Sequence, residues 1–161
     1  MITNLSETTN FICSTIPCGF RPKVGIILGS GLSGICDGMD ILSSINYRDI
    51  PHFPVSTVDS HKGVLLLGFL SGVAVAVLQG RFHYYEGYSA ESVVYPVRVL
   101  GQLGTKILLL TNACGGLNPQ FRAGEIMLMD DHINLQWANP LIGKNTDQNR
   151  FVDMSNPYSE R

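Results

Sequence analysis

The residues best suited to chemistry lie in one stretch, Gly80-Arg81-Phe82-His83-Tyr84-Tyr85-Glu86-Gly87-Tyr88, directly after the apolar run Val73–Leu78. An arginine, a histidine, two tyrosines and a glutamate therefore crowd the end of a predicted strand. Arg81 offers a rigid fork of donors suited to a phosphate or a carboxylate. His83 lies two positions on, and in an extended segment it points to the same side as Arg81. Tyr85 follows on that side as a flat amphipathic surface. Glu86 is close enough in sequence to orient either Arg81 or His83 by hydrogen bonding. An anion site beside an aromatic wall is what an enzyme using phosphate on a sugar substrate needs. Read blandly, Arg81 and His83 are only a solvated strand end.

The elements that must position this stretch weigh against the bland reading. Val24–Leu28 reads as a short buried strand, followed by the glycine turn Gly29-Ser30-Gly31-Leu32-Ser33-Gly34 and a short helix. Residues 45–50 read as extended. Val64–Leu70 and Val73–Leu78 are apolar runs separated by Ser71-Gly72 alone, which predicts a hairpin. Ser89 suits a helix N-cap, with Val93, Val97, Leu100 and Gly104 on one face. Residues 106–110 and 125–131 read as further strands, and residues 1–20 as a helical or loosely ordered lead-in. The expected fold is α/β, a mixed sheet flanked by helices, in a single domain over residues 1–161. Polar, glycine-rich turns then fall at the ends of three strands, at residues 29–34, 80–88 and 112–116, the edge where α/β sheets gather ligands.

Other chemistries fit less well. Gly29 to Gly34 matches G-x-G-x-x-G, but Asp49 precedes Ile50-Pro51 rather than ending a buried strand, and a hairpin follows instead of a crossover, so a nicotinamide-dependent oxidoreductase is disfavoured. A glycine turn whose N–H groups and Ser30 hydroxyl take phosphate fits the same letters. A Ser-His-Asp hydrolase using Ser30 with His83 or His132 lacks a nucleophile-elbow context.

Composition bounds the rest. Of 161 residues, 15% are charged against about 25% in an ordinary globular protein, and 45% are apolar, which points to a compact core. The net charge of −2 gives no reason to expect nucleic acid or an anionic membrane. No apolar run approaches the roughly 20 residues that span a bilayer, and the polar start does not read as a secretory signal. Cys13, Cys18, Cys36 and Cys114 form no C-x-x-C pair and sit at no metal-ligand spacing, so free thiols in a reducing cytoplasm are expected, with no metal.

Several stretches together resemble purine nucleoside phosphorylases of the homotrimeric type: Leu28–Leu32, Ile50–Pro54, Gly80–Tyr88, Pro96–Val99, Thr111–Pro119, Asp131–Leu135, and Arg150-Phe151 with Met154-Ser155. Their order and spacing make the resemblance specific from about residue 24 onward. The related methylthioadenosine phosphorylases lack Glu-Gly-Tyr after the Arg-x-His, which favours the purine nucleoside branch. The resemblance implies a three-layer α/β architecture and a cytoplasmic homotrimer of purine salvage, with no cofactor. Inorganic phosphate would be the co-substrate, cleaving inosine or guanosine to free base and ribose 1-phosphate. It implies that Ser30, His61, Arg81, His83 and the Ala113 N–H hold phosphate, with His83 and Glu86 as the catalytic pair. Tyr85 would lie against the ribose; Ala113, Cys114 and Gly115 would line the base pocket; Phe151 would reach a neighbouring subunit's site. Cys114 stands where such enzymes often have alanine.

Family members are longer. The resemblance implies an N-terminal portion, incomplete at its C-terminus, with the purine-gripping glutamate and asparagine, a further phosphate-binding serine and a histidine near the ribose 5′-hydroxyl beyond residue 161. The competing expectation is a catalytically incomplete module that binds phosphate or associates with partner chains.

Overall fold

The computed structural model describes residues 2–55, 62–143 and 152–159. Its chain divides into two compact units, Met1–Ala113 and Cys114–Arg161. The first unit opens with helix α1 (Ile2–Ser14) and continues through β1 (Val24–Leu28), β2 (Met39–Asn46), β3 (Val64–Leu70), β4 (Val73–Gln79), helix α2 (Ala90–Leu103) and β5 (Ile107–Leu110). Short 3₁₀ turns occupy Ser33–Gly38, Tyr47–Asp49 and Tyr84–Glu86.

The five strands form one mixed sheet in the order β2-β3-β4-β1-β5. β1 runs parallel to both β4 and β5, while β3 is antiparallel to β2 and β4. The hairpin expected between β3 and β4 forms, with Ser71 at φ 50° and Gly72 at φ 77°. Two successive positive φ values give the primed turn whose twist matches its strands. Alternation along the strands separates two buried clusters. Ile27, Leu65, Leu67, Ala76 and Leu78 pack with Ile12 of α1 and with Val99, Leu100 and Leu103 of α2. Ile26, Leu28, Leu66, Val75 and Val77 face the other way and pack with Cys36.

α2 begins where expected: Ser89 Oγ accepts the Ser92 N–H at 3.2 Å. Its buried face is Pro96, Val99, Leu100 and Leu103, with Val93 and Val97 half-buried against the same cluster. Gly104 is not on that face; it caps the helix in the left-handed conformation at φ 106°.

Two expected strands differ. The strand expected at 45–50 lies earlier, at Met39–Asn46, and residues 47–49 turn instead. The turn swings the Tyr47 ring into the core, where it is 1% exposed and packs on Phe53 and Phe82. β2 hides from a period-two reading because it is an edge strand with mostly exposed side chains and a register shift between Ile41 and Ser43. Residues 125–131 form no strand: Ile126 is 101% exposed, and no described residue of the second unit offers a strand to pair with it. A strand exists only through such pairing. The described residues of that unit hold neither helix nor strand; within it the His132 ring meets the Tyr158 ring edge-on at 5.7 Å.

Candidate active site

The topology brings three strand ends side by side. β1 lies between β4 and β5 and parallel to both, with Leu28 opposite Gln79 and Ile27 opposite Leu110. The residues that follow, Gly29-Ser30, Gly80-Arg81 and Thr111-Asn112-Ala113, therefore leave the sheet at the same edge. Of the expected phosphate residues, Ser30, Arg81, His83 and Ala113 belong to this gathering. His61 lies outside the described residues.

Arg81 starts on β4, yet its Nη1 donates to the Thr111 carbonyl beyond β5 at 2.9 Å. To get there the guanidinium passes over the end of β1, at Gly29. A Cβ on Gly29 would stand 2.8 Å from Arg81 Nη2, 2.8 Å from the Thr111 carbonyl oxygen and 3.0 Å from the Asn112 Cα. Close approach, not a special φ, is what requires glycine there. Thr111 also closes the junction from its side chain. Its Oγ1 accepts the Gly29 N–H at 2.9 Å and donates to the Ile27 carbonyl at 3.1 Å. The Gly29 N–H is thus engaged within the protein, as is the Leu32 N–H, which donates to the Gly29 carbonyl at 3.4 Å. Burial pushes the half-buried Arg81 guanidinium below its usual range, opposed by the Tyr85 phenol. A bound anion would offset that burial.

His83 is built differently. Phe82, between the half-buried Arg81 and His83, is buried against Tyr47, Phe53 and Tyr88. After His83 the chain turns into the 3₁₀ segment Tyr84–Glu86, which closes a capping box on His83. Glu86 Oε1 accepts the His83 backbone N–H at 2.9 Å and lies 2.6 Å from His83 Nδ1. The Glu86 side chain is 3% exposed. An ionised carboxylate only accepts, so opposite one Nδ1 is the nitrogen that carries the hydrogen.

The alternation expected to carry on to Tyr85 stops at this turn. Tyr85 reaches the site by another route: its ring stacks on His83 with centroids 4.6 Å apart and planes 20° from parallel. It is 77% exposed and presents its outer face to solvent. Cys114 and Gly115 are exposed and open the second unit. Phe151 lies outside the described residues.

Two residues important to the geometry carried no signal of their own. Thr111 falls between the strand expected at 106–110 and the turn at 112–116, and Tyr47 lies in the stretch 45–50 that reads as extended. Tyr47 Oη donates to the Gly80 carbonyl at 2.8 Å, inside the core, and so fixes the residue before Arg81.

The model of the Phosphorylase superfamily matches residues 23–161. Purine nucleoside phosphorylase 1 of Bacillus subtilis is 53% identical over 158 residues, covering 97% of this chain and 58% of that protein. The purine nucleoside phosphorylase of Rattus norvegicus is 49% identical over 143 residues, 86% of this chain and 50% of the relative. A crystal structure of the Schistosoma mansoni purine nucleoside phosphorylase in complex with acetate superposes with a TM-score of 0.86 at 42% identity, over 98% of this chain and 59% of that one. The chain thus spans little more than half the length of these relatives. With residues 23–161 matched, the chain belongs to the Phosphorylase superfamily.

Proposed function

We propose that this protein catalyses phosphorolysis of purine nucleosides, inosine and guanosine, to the free base and ribose 1-phosphate. The observation that carries the reading is Arg81, drawn across Gly29 to the Thr111 carbonyl so that its cation stands where three strand ends open. Similarity to purine nucleoside phosphorylases over nearly the whole chain supports it. Phosphate, held by Ser30, Arg81, His83 and the Ala113 N–H, and by His61, presents an oxygen to the anomeric carbon. The new C1′–O bond forms as the C1′–N9 bond breaks, and the electron pair leaves with the purine, which takes up a proton. The ribosyl group is oxocarbenium-like on the way. A fixed anion beneath that carbon both offsets the developing positive charge and supplies the nucleophile. His83 and Glu86 act as the catalytic pair, Glu86 keeping the imidazole oriented toward phosphate. Tyr85 lies against the ribose, Ala113, Cys114 and Gly115 face the base, and Phe151 serves a neighbouring subunit's site in a cytoplasmic homotrimer of purine salvage. Inorganic phosphate is the co-substrate, and no cofactor is required.

The test is hypoxanthine release from inosine with and without phosphate. Release requires phosphate, and Arg81→Ala lowers it by about a hundredfold or more, the scale of losing one charge-stabilising group. Release that proceeds equally well without phosphate, or that survives Arg81→Ala intact, overturns the reading.

A further inference from the structure

Resting on the phosphate reading above, we infer that Thr111 is a positioning residue: its hydroxyl locks the Gly29-Ser30 turn and Arg81 into one phosphate-holding register. The two contact segments leave neighbouring strands, β1 and β4, just past the last paired residues, Leu28 and Gln79, where the ladder no longer sets one against the other. Thr111 touches both. Its Oγ1 takes the Gly29 N–H at 2.9 Å, its carbonyl takes Arg81 Nη1 at 2.9 Å, and its own N–H and hydroxyl both end on the Ile27 carbonyl at 3.1 Å. The hydroxyl has one hydrogen to give and lone pairs to receive, and both uses are taken. The junction has no slack, because Gly29, Arg81 and Thr111 already approach closer than a methyl group would allow.

Removing the hydroxyl while keeping the shape leaves the Gly29 N–H without its acceptor at a largely buried position. The turn then relaxes toward another partner, and Ser30 leaves register with Arg81. Loss of a buried partner corresponds to about tenfold in an equilibrium constant. Thr111→Val makes that change; Thr111→Ser restores the hydroxyl.

The experiment measures binding of inorganic phosphate to the wild-type chain and to Thr111→Val, Thr111→Ser and Arg81→Ala, by calorimetric titration. Hydrogen exchange of the Gly29 amide is followed by NMR on the same proteins. Thr111→Val should weaken phosphate about tenfold and expose the Gly29 amide to exchange, while Thr111→Ser stays within about twofold with the amide protected. In the inosine assay the valine variant should raise KM for phosphate and leave KM for inosine unchanged, a split that lost folded protein would not produce. Wild-type phosphate affinity in Thr111→Val, with Arg81→Ala still impaired, overturns the inference and leaves the phosphate reading standing. Wild-type binding no tighter than that of Arg81→Ala overturns both. Should Thr111→Val not fold, the serine variant decides: a loss of affinity there shows that the hydroxyl is not what sets the register.

Discussion

Glu86 holds His83 at two points with a single oxygen, Oε1, which accepts the backbone N–H at 2.9 Å and sits 2.6 Å from Nδ1 of the ring. The carboxylate is shut away from water, and Tyr85 covers one face of the imidazole. The ring is therefore fixed by a hydrogen bond, a stack and its own backbone. Glu86→Gln keeps the shape but removes the charge that selects Nδ1–H. A hydrogen bond to a charged partner is worth about 1.5–3 kcal/mol, roughly ten- to a hundredfold in rate when lost. The expected outcome is a fall of that size in kcat/KM for phosphate, with a thermal midpoint close to wild type. Glu86→Ala should lower both, since it also removes the capping contact, worth ~1 kcal/mol.

Gly29 separates crowding from flexibility. Its substitution by alanine forces a methyl group against Arg81 Nη2, which can retreat, and against the Thr111 carbonyl and Asn112 Cα, which are backbone and cannot. Overpacking of this sort costs about 1–3 kcal/mol. Gly29→Ala should therefore lower stability and weaken phosphate binding together. Gly34 lies in the same loop with only Asp37 Oδ2 nearby, 3.8 Å from its would-be Cβ, and Gly34→Ala should change stability by less than about 0.5 kcal/mol. Denaturant titration of the two variants checks the contrast. Equal effects would show that the loop demands glycine for its backbone, not for the passage of Arg81.

Tyr47 makes a prediction about pH. Burial raises its phenol well above the ordinary value of 10.0, and the hydroxyl donates to the Gly80 carbonyl. A group whose pKa is raised on folding contributes stability that is fully present below its unfolded pKa and lost as pH rises above it. The contribution is therefore intact through neutral pH and declines above about pH 10. Tyr47→Phe should destabilise the protein by about 1–3 kcal/mol at neutral pH, because the Gly80 carbonyl is left buried without its donor. Above pH 10 the gap between the two proteins should narrow. Thermal midpoints of both, measured from neutral to strongly alkaline pH, decide it; a constant gap would contradict the burial of the phenol.

Legibility in the sequence followed locality. β1, the β3–β4 hairpin and the start of α2 could be read because each is marked by neighbours: a short apolar run before glycines, a two-residue turn, a serine cap. The alternation of burial over Arg81, Phe82 and His83 was legible for the same reason. It failed at Tyr85 because a 3₁₀ turn intervenes, and the turn depends on Glu86 closing onto His83. β2 was missed because half of an edge strand faces water and a bulge breaks its period. Residues 125–131 look like a strand by composition, but pairing is a property of partners far away in the chain. Thr111 is the extreme case, for its hydroxyl meets an amide 82 positions away and its carbonyl a guanidinium 30 away. Only the order of strands in the sheet makes those residues neighbours.

The four cysteines test the environment of the core and the proposed base pocket together. All are free; Cys18 and Cys114 are exposed, Cys13 is half-buried and Cys36 is buried. Burial pushes the Cys36 thiol up, with smaller opposing influences from Gln79 and Lys62. The thiolate is the reactive form, so Cys36 is protected both by access and by its protonation. A disulfide reagent at neutral pH should titrate Cys18 and Cys114 promptly, and Cys36 only once denaturant unfolds the sheet. If Cys114 faces the purine as proposed, a bulky adduct there should abolish inosine phosphorolysis, and inosine should slow its labelling while leaving Cys18 unaffected. Cys114→Ala should keep activity and lose sensitivity to the reagent, whereas Cys18→Ser should keep both. Modification of Cys114 without loss of activity would remove it from the base pocket, and prompt labelling of Cys36 in the folded protein would contradict its packing against Val75 and Val77.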